Sequence, residues 1–333
     1  MSHLEMMGFM FDLGTQFTNA TIHHPKFRAL LRSNAKFYAV IVEVFLTDAL
    51  FATGAHFGAP VIGLSTFGAS KWSTELVGTP IIPSFVPHTF SPFTDHMTFF
   101  ERLGNFAMYW MDELTMPFFY DSIQEKIYKE GFPNSAKASL AEIKANTSLV
   151  LLNTHVSLGF PRPYATNMIE VGGMHVNPKV EKLPQDLQAY LDGAKDGAVY
   201  FSMCSNIKAT QFPPEKLAGI IETFKSFPKV KFLFKYEAVL ANKPDNVLTK
   251  DWFPQESVLN HPNVKLFITH GGLLSTTESI HFGKPVVGIP VFGDQSLNIG
   301  YAERRGYGIM VDFHDLSHET LTNAVNKGLN DPQ

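Results

Sequence analysis

Two α/β domains built on parallel sheets are the predicted architecture, and three observations carry that prediction. Short, continuously apolar runs alternate with helical patterns through the second half of the chain, a strand-helix-strand unit stands in the first half, and a polar, proline-bearing stretch lies between them. A chain of 333 residues has room for two such domains, each with its own core. The hydrophobic fraction of 45% and charged fraction of 17% belong to a folded protein and exclude a disordered or collagen-like one. With a net charge of -4 and no basic stripe, a nucleic-acid partner is not expected. Cys204 is the only cysteine, which excludes a disulfide framework.

The first domain, placed at residues 1–176, begins with a helix after Pro25 and an extended run at 37–42 that ends at Glu43. An apolar-periodic helix at 48–57, stopped by Gly58 and Pro60, leads into a second extended run at 61–64, the spacing of a parallel α/β unit. Residues 80–92 are proline-rich and read as irregular loop. The helices that follow, to about Gly131, are dense in Phe, Met, Trp and Tyr, and their aromatic face either packs into a core or forms a greasy surface for an acceptor or a membrane. Runs at 148–153 and 168–171 complete the domain, and residues 177–197, with Pro178 and Pro184, are expected to be a linker.

The second domain, 198–333, alternates more cleanly. Its extended runs fall at 198–203, 230–235, 265–269, 285–289 and 308–311, with helices starting near Pro214, Ser275 and Gln295. Ligands of such sheets bind beyond the carboxyl ends of the strands, so the residues just after these runs are the functional candidates. No stretch reaches the roughly 18 to 20 apolar residues that span a bilayer, and no signal pattern opens the chain. The triplets Asn19-Ala20-Thr21 and Asn146-Thr147-Ser148 are glycosylation acceptors only in a secretory lumen.

The most informative segment is Phe267-Ile268-Thr269-His270-Gly271-Gly272-Leu273-Leu274-Ser275-Thr276-Thr277-Glu278. A buried strand ends, Gly271 and Gly272 turn the backbone tightly, and a helix begins whose free N–H groups face whatever lies above the strand, as a diphosphate site requires. His270 is placed to donate to the same phosphates and Glu278 to accept from ribose hydroxyls. The competing reading is a capping box made by Ser275 and Glu278. After the next strand, Asp294 and Gln295 combine an acceptor with an amide, a pair suited to sugar hydroxyls, although Asp294 would also serve as a helix cap. Trp252 offers a flat face for a base or a body for a core, and the loop from Ser202 to Ser205 adds hydroxyls and N–H groups beside the same crevice. No His, Cys and carboxylate set has the spacing of a metal site.

The run Trp252-Phe253-Pro254-Gln255, His261-Pro262, the glycine segment above and Gly293-Asp294-Gln295 with Asn298 resemble the donor-binding signature of the UDP-glycosyltransferases. Residues 61–77 and 161–176 are most similar to the insect branch, and the resemblance covers essentially the whole chain. It implies a GT-B fold, two Rossmann-like domains facing across a cleft, the first incomplete here. It also implies transfer of a hexose, glucose above others, from a UDP-sugar to a hydroxyl of a small lipophilic acceptor with inversion. UDP-glucose or another UDP-hexose is then the co-substrate, and no further cofactor is implied. By similarity Trp252 stacks on uracil and Gln255 lies near the nucleoside. His270 and the N–H groups of Ser275 and Thr276 meet the diphosphate, Glu278 the ribose, and Asp294 with Gln295 the transferred sugar.

Two departures fall inside the site this resemblance implies: Cys204 stands where the family usually has glycine, and Leu274 where many relatives have asparagine. The family's base is a histidine near the start of the first domain, oriented by a carboxylate for which Glu43 is the first choice and Asp48 the second. His3, His23 and His24 follow no apolar run and none is nominated as that base. The chain therefore reads as a piece, truncated at both ends, of a parent enzyme anchored in the endoplasmic reticulum membrane with its catalytic part in the lumen. The alternatives are a catalytically silent UDP-sugar-binding fragment and glucuronosyl transfer.

Overall fold

The computed structural model describes residues 3–133, 138–205 and 207–331. The chain forms two compact units, one holding the residues up to Thr89 and Phe93–Gly172, the other Phe90–Pro92 and the residues from Gly173 on. The first unit is built on four parallel strands, β1 (Val40–Glu43), β2 (Val61–Ser65), β3 (Leu149–Leu152) and β4 (Met168–Glu170), side by side in chain order. Burial alternates along β2 and β3, as expected of strands with one well-covered face, and Val150 and Leu152 are fully enclosed.

The aromatic-rich helix Phe99–Met116 starts at a capping box between Thr98 and Glu101 and gives way at Pro117, whose ring cannot continue the α-helical ladder, to a π-helical turn at Pro117–Asp121. Its inward face carries Asn105, Tyr109, Asp112 and Met116, while Phe99, Phe100, Leu103, Phe106, Trp110 and Leu114 face outward. The polar residues point in because the proline-rich loop cannot satisfy its own backbone. Asn105 donates to the Pro83 and Val86 carbonyls and accepts from the His88 N–H, and the Tyr109 hydroxyl donates to the Pro87 carbonyl. His88 and Asp112 complete the cluster as a buried pair 2.8 Å apart. The greasy face is thus a surface and not a core.

The second unit holds six parallel strands: β5 (Ala198–Ser202), β6 (Lys231–Lys235), β7 (Val247–Lys250), β8 (Val264–Thr269), β9 (Val286–Gly288) and β10 (Gly308–Met310), in the order β10-β9-β8-β5-β6-β7. Both faces are covered, so β5 is buried at every position. One face packs Phe201, Phe232, Phe234 and Ile268 against the helices Pro214–Ser226 and His318–Asn330. The other packs Tyr200, Leu233 and Phe267 against Phe253, Val258 and Ile299. The segment expected to be linker contains the helix Gln185–Asp192, whose Leu187 and Leu191 belong to this second core. Among the described residues, no helix is long and apolar enough to cross a membrane.

Candidate functional site

Strand order fixes where a ligand can sit in the second unit. From β5 the chain steps outward through β6 to β7, then returns to the other side of β5 for β8, β9 and β10. Connections leaving β5 and β8 diverge in opposite directions, which opens a crevice at their carboxyl ends. Register gathers the loops there, since Ser202 pairs with Thr269 and Thr269 with Gly288.

Beyond Thr269 the two glycines serve different ends. Gly271 has φ of 89°, a left-handed conformation closed to most side chains. Gly272 has ordinary backbone angles, but a Cβ there would lie 2.6 Å from His270 Nε2, so its bareness makes room for the imidazole at the start of the helix. That helix is Leu273–His281, capped by Gly272 without a side-chain bond, and it begins two residues before the expected Ser275. Its first backbone bond runs from the Thr276 N–H to the Gly272 carbonyl at 3.0 Å. The free donors are therefore the N–H groups at 273, 274 and 275, and the expected contribution of the Thr276 N–H is corrected: it is already engaged inside the helix.

His270 is only 6% exposed, and burial pulls its pKa down to about 4, so the ring is neutral near pH 7. Thr269 Oγ1 lies 3.4 Å from Nδ1; with that hydroxyl donating, Nε2 carries the proton and stands beside the free N–H groups. Glu278 and Ser275 do not form a capping box, because both are held by Gln255: its Nε2 donates to Glu278 Oε2 at 2.8 Å and to Ser275 Oγ at 3.0 Å. The Tyr200 hydroxyl donates to Gln255 Oε1 at 3.3 Å, so each end of this amide is engaged within the protein. Gln255 thus orients the carboxylate more than it meets a ligand. Burial raises the pKa of Glu278, while Gln255 and the nearby His175 pull it back.

Asp294 precedes the helix Gln295–Arg304 but makes no side-chain cap bond. Asn298 Nδ2 donates to Asp294 Oδ2 at 2.8 Å and to the Gly271 carbonyl at 2.9 Å, tying the loop after β9 to the loop after β8. The recess around the Asp294 carboxyl raises its pKa, and the Asn298 bond opposes that shift. Gln295 departs from the expected sugar clamp: its Oε1 accepts from the N–H groups of Val291 and Phe292 at 2.8 and 3.1 Å, and the residue is buried. Only its Nε2 remains to face a ligand. Trp252, two residues beyond β7, is 67% exposed, with the Lys235 ammonium over one face of its ring at 6.0 Å, which sets aside the core alternative.

In the loop after β5, Ser205 is exposed and Cys204 has φ of 62°, its N–H donating to Ser202 Oγ at 3.3 Å. Sequence reasoning did not reach two residues of this site: Asn298 was part of the signature without a role, and His175 lies in an irregular turn that no periodicity marks. Glu43 and Asp48 belong to the first unit. Glu43 is exposed at the end of β1 and accepts from Thr66 Oγ1 at 2.8 Å. Asp48 is buried and paired with the Lys144 ammonium, so its charge is committed to a structural ion pair, and it is set aside as the orienting carboxylate. Among the described residues, no group of three His, Cys, Asp or Glu is placed to hold a metal ion.

Two parallel-sheet α/β units of this kind, the second with a helix N-terminus at its sheet edge, have the GT-B architecture. The family model described as UDP-glucoronosyl and UDP-glucosyl transferase matches residues 3–333, and the chain belongs to that family. A UDP-glycosyltransferase of the insect Dactylopius coccus is 38% identical over 308 residues, covering 92% of this chain and 58% of the relative. Rat UDP-glucuronosyltransferase 2A1 is 32% identical over 302 residues, 87% of this chain and 55% of its own. The chain thus spans somewhat over half the length of these relatives. A solved glycosyltransferase in complex with UDP superposes with a TM-score of 0.59 at 20% identity, covering 95% of this chain and 72% of that one, and shares the fold.

Proposed function

We propose that the second unit binds a UDP-hexose and that the whole protein transfers the hexose, glucose before glucuronic acid, with inversion to a hydroxyl of a small lipophilic acceptor. The observation that carries this reading is the convergence at one edge of His270, the free N–H groups at 273–275, Glu278 and Asp294. Departure of UDP leaves negative charge on the diphosphate, and donors fixed before the reaction stabilise it without reorganising. The neutral His270 suits that role, since Nε2–H donates without the desolvation cost of a buried cation. Trp252 is open for uracil, and the Gln255-held Glu278 for ribose.

Asp294 favours an uncharged sugar. Its carboxyl is bonded by Asn298 and buried, with no lysine or arginine acting on it, so no cation beside Asp294 is placed to pair with a sugar carboxylate. In the first unit, Glu43 at the end of β1 is the candidate to orient a histidine base. The exposed aromatic face of the helix Phe99–Met116 supports an environment, acceptor or membrane, of lipophilic character. Asn146 is exposed at the end of the helix Leu140–Ala145, which is compatible with glycosylation in the lumen of the endoplasmic reticulum.

Calorimetric titration with UDP, UDP-glucose and UDP-glucuronic acid tests the assignment. UDP-glucose is expected to bind more tightly than UDP-glucuronic acid, and Asp294→Ala to weaken UDP-glucose more than UDP by about tenfold, the value of one charge-assisted hydrogen bond. Equal losses for the two nucleotides would remove Asp294 from the sugar site.

A further inference from the structure

The chain enters the second unit through a turn, in which the Val176 N–H donates to the Gly173 carbonyl at 3.0 Å and Gly173 takes φ of 82°. Just beyond, the Asn177 N–H donates to Glu256 Oε1 at 3.0 Å and Ser257 Oγ to the Glu181 carbonyl at 2.9 Å, which fastens the segment along the helix Gln255–Asn260. His175 lies within that turn, two residues before the first of these anchors. Its Nε2 lies 3.2 Å from the Leu274 carbonyl, in the first turn of the helix Leu273–His281, and 3.7 Å from Glu278 Oε1.

A carbonyl only accepts, so Nε2 is the donor and carries the proton. The same N–H lies beyond hydrogen-bond length from Glu278 but close enough for its positive end to favour the carboxylate. Gln255 holds Oε2 of that carboxylate, and His175 stands at Oε1. The Leu274 carbonyl also belongs to the turn whose N–H groups are free, so one imidazole bears on both the helix start and the carboxylate. Its other nitrogen, Nδ1, is buried without a hydrogen-bond partner. A bare buried acceptor offsets much of what the Nε2 bond contributes, so the ring adds little net stability to the fold.

We propose that His175 is a positioning residue of the nucleotide pocket, which holds the first turn of the helix Leu273–His281 and, with it, the Glu278 carboxylate in the orientation that grips the donor ribose. The inference rests on the reading of Glu278 as the ribose acceptor given above. It extends the donor pocket to the segment by which the chain enters the second unit.

Two variants of the full chain separate positioning from bulk. His175→Phe keeps a ring but loses the donor, and His175→Gln puts an amide N–H where Nε2 stands. UDP and 2′,3′-dideoxy-UDP are titrated calorimetrically against each, with melting temperature as a check on folding. The wild type is expected to prefer UDP by about tenfold or more, the value of hydrogen bonds to a charged acceptor. His175→Phe should lose most of that preference, its UDP affinity falling toward that of the dideoxy nucleotide, with a melting temperature close to wild type. His175→Gln should restore it. A wild type that binds both nucleotides equally removes the ribose role of Glu278 and this inference with it. A discriminating wild type beside an equally discriminating Phe variant, or a Phe variant that weakens both nucleotides alike, overturns the inference alone.

Discussion

At the scale of single residues, Cys204 and His270 each carry a measurable cost. Cys204 is held at φ of 62°, where a side chain strains against its own carbonyl by roughly 1 to 2 kcal/mol. Glycine removes that strain but returns about 0.5 to 1 kcal/mol through a freer unfolded chain. Cys204→Gly is therefore expected to raise stability by up to about 1.5 kcal/mol, read as a higher urea midpoint with unchanged slope, while Cys204→Ala gives no gain. The resemblance marked this position from sequence, but only the backbone angle supplies the reason.

His270 costs stability in acid. Its folded pKa of about 4 lies below the ordinary 6.5, so between those values the unfolded chain binds a proton that the folded one refuses, and stability falls as pH falls through that window. The loss is on the order of 3 kcal/mol when complete. Glu278 and Asp294, whose pKa values are raised, act in the opposite direction, so the test is a comparison. The gap in unfolding free energy between wild type and His270→Gln should shift against the wild type from pH 7 to pH 4. A gap that stays constant would mean the imidazole titrates normally. Gln255 and Gln295 show what residue types alone conceal: both stand in the signature that the sequence resembles, yet their amide carbonyls are spent on Tyr200 and on the 291–292 backbone, which spacing does not reveal.

At the scale of elements, composition marked the buried strands of the second sheet, and also the edges β1 and β10, which keep short apolar runs. β5, β6, β8 and β9 each carry an apolar run, interrupted by lysine only at Lys231 and Lys235, the ends of β6, and at Lys265 in β8, because helices cover both faces, and all four were legible. β7 was not: it is an edge strand in which only Val247 is buried, so it carries no apolar run. The helix Gln255–Asn260 escaped notice because six residues are too few to show a period. The helix Gln295–Arg304 approaches the sheet closely, since a Cβ at either Gly271 or Gly288 would overlap the Ile299 side chain. Gly288→Ala should therefore cost about 1 to 3 kcal/mol by overpacking, and Ile299→Ala about 2 to 5 kcal/mol by leaving a cavity. Because each change relieves the other, the double variant should be less destabilised than the sum, with a coupling of at least about 0.5 kcal/mol in denaturant unfolding. Strict additivity would mean that the two do not pack together.

At the scale of the molecule, the proposed donor site from His175 to Asn298 lies within one of two units, each with its own sheet. The sequence pattern anticipated two domains, but it placed the helix Gln185–Asp192 in a linker because proline and charge conceal the two leucines that pack it. Nucleotide affinity should therefore follow the core of the second unit. Phe267 in β8 stacks on Tyr200 with ring centroids 5.0 Å apart, and the Tyr200 hydroxyl holds Gln255, which holds Glu278. Phe267→Ala should cost about 3 to 5 kcal/mol of stability and also loosen that chain of contacts. UDP affinity should fall about tenfold even at temperatures where the protein remains folded. Leu152→Ala in β3 makes a comparable cavity, about 2 to 5 kcal/mol, among residues that hold no part of the donor site. Its UDP affinity should match the wild type, and saturating UDP, at a hundred times its dissociation constant, should still add about 2.7 kcal/mol to the unit that binds it. Titration of both variants with UDP decides the matter: a Leu152→Ala protein that loses UDP as heavily as Phe267→Ala would show that the donor site depends on the first unit.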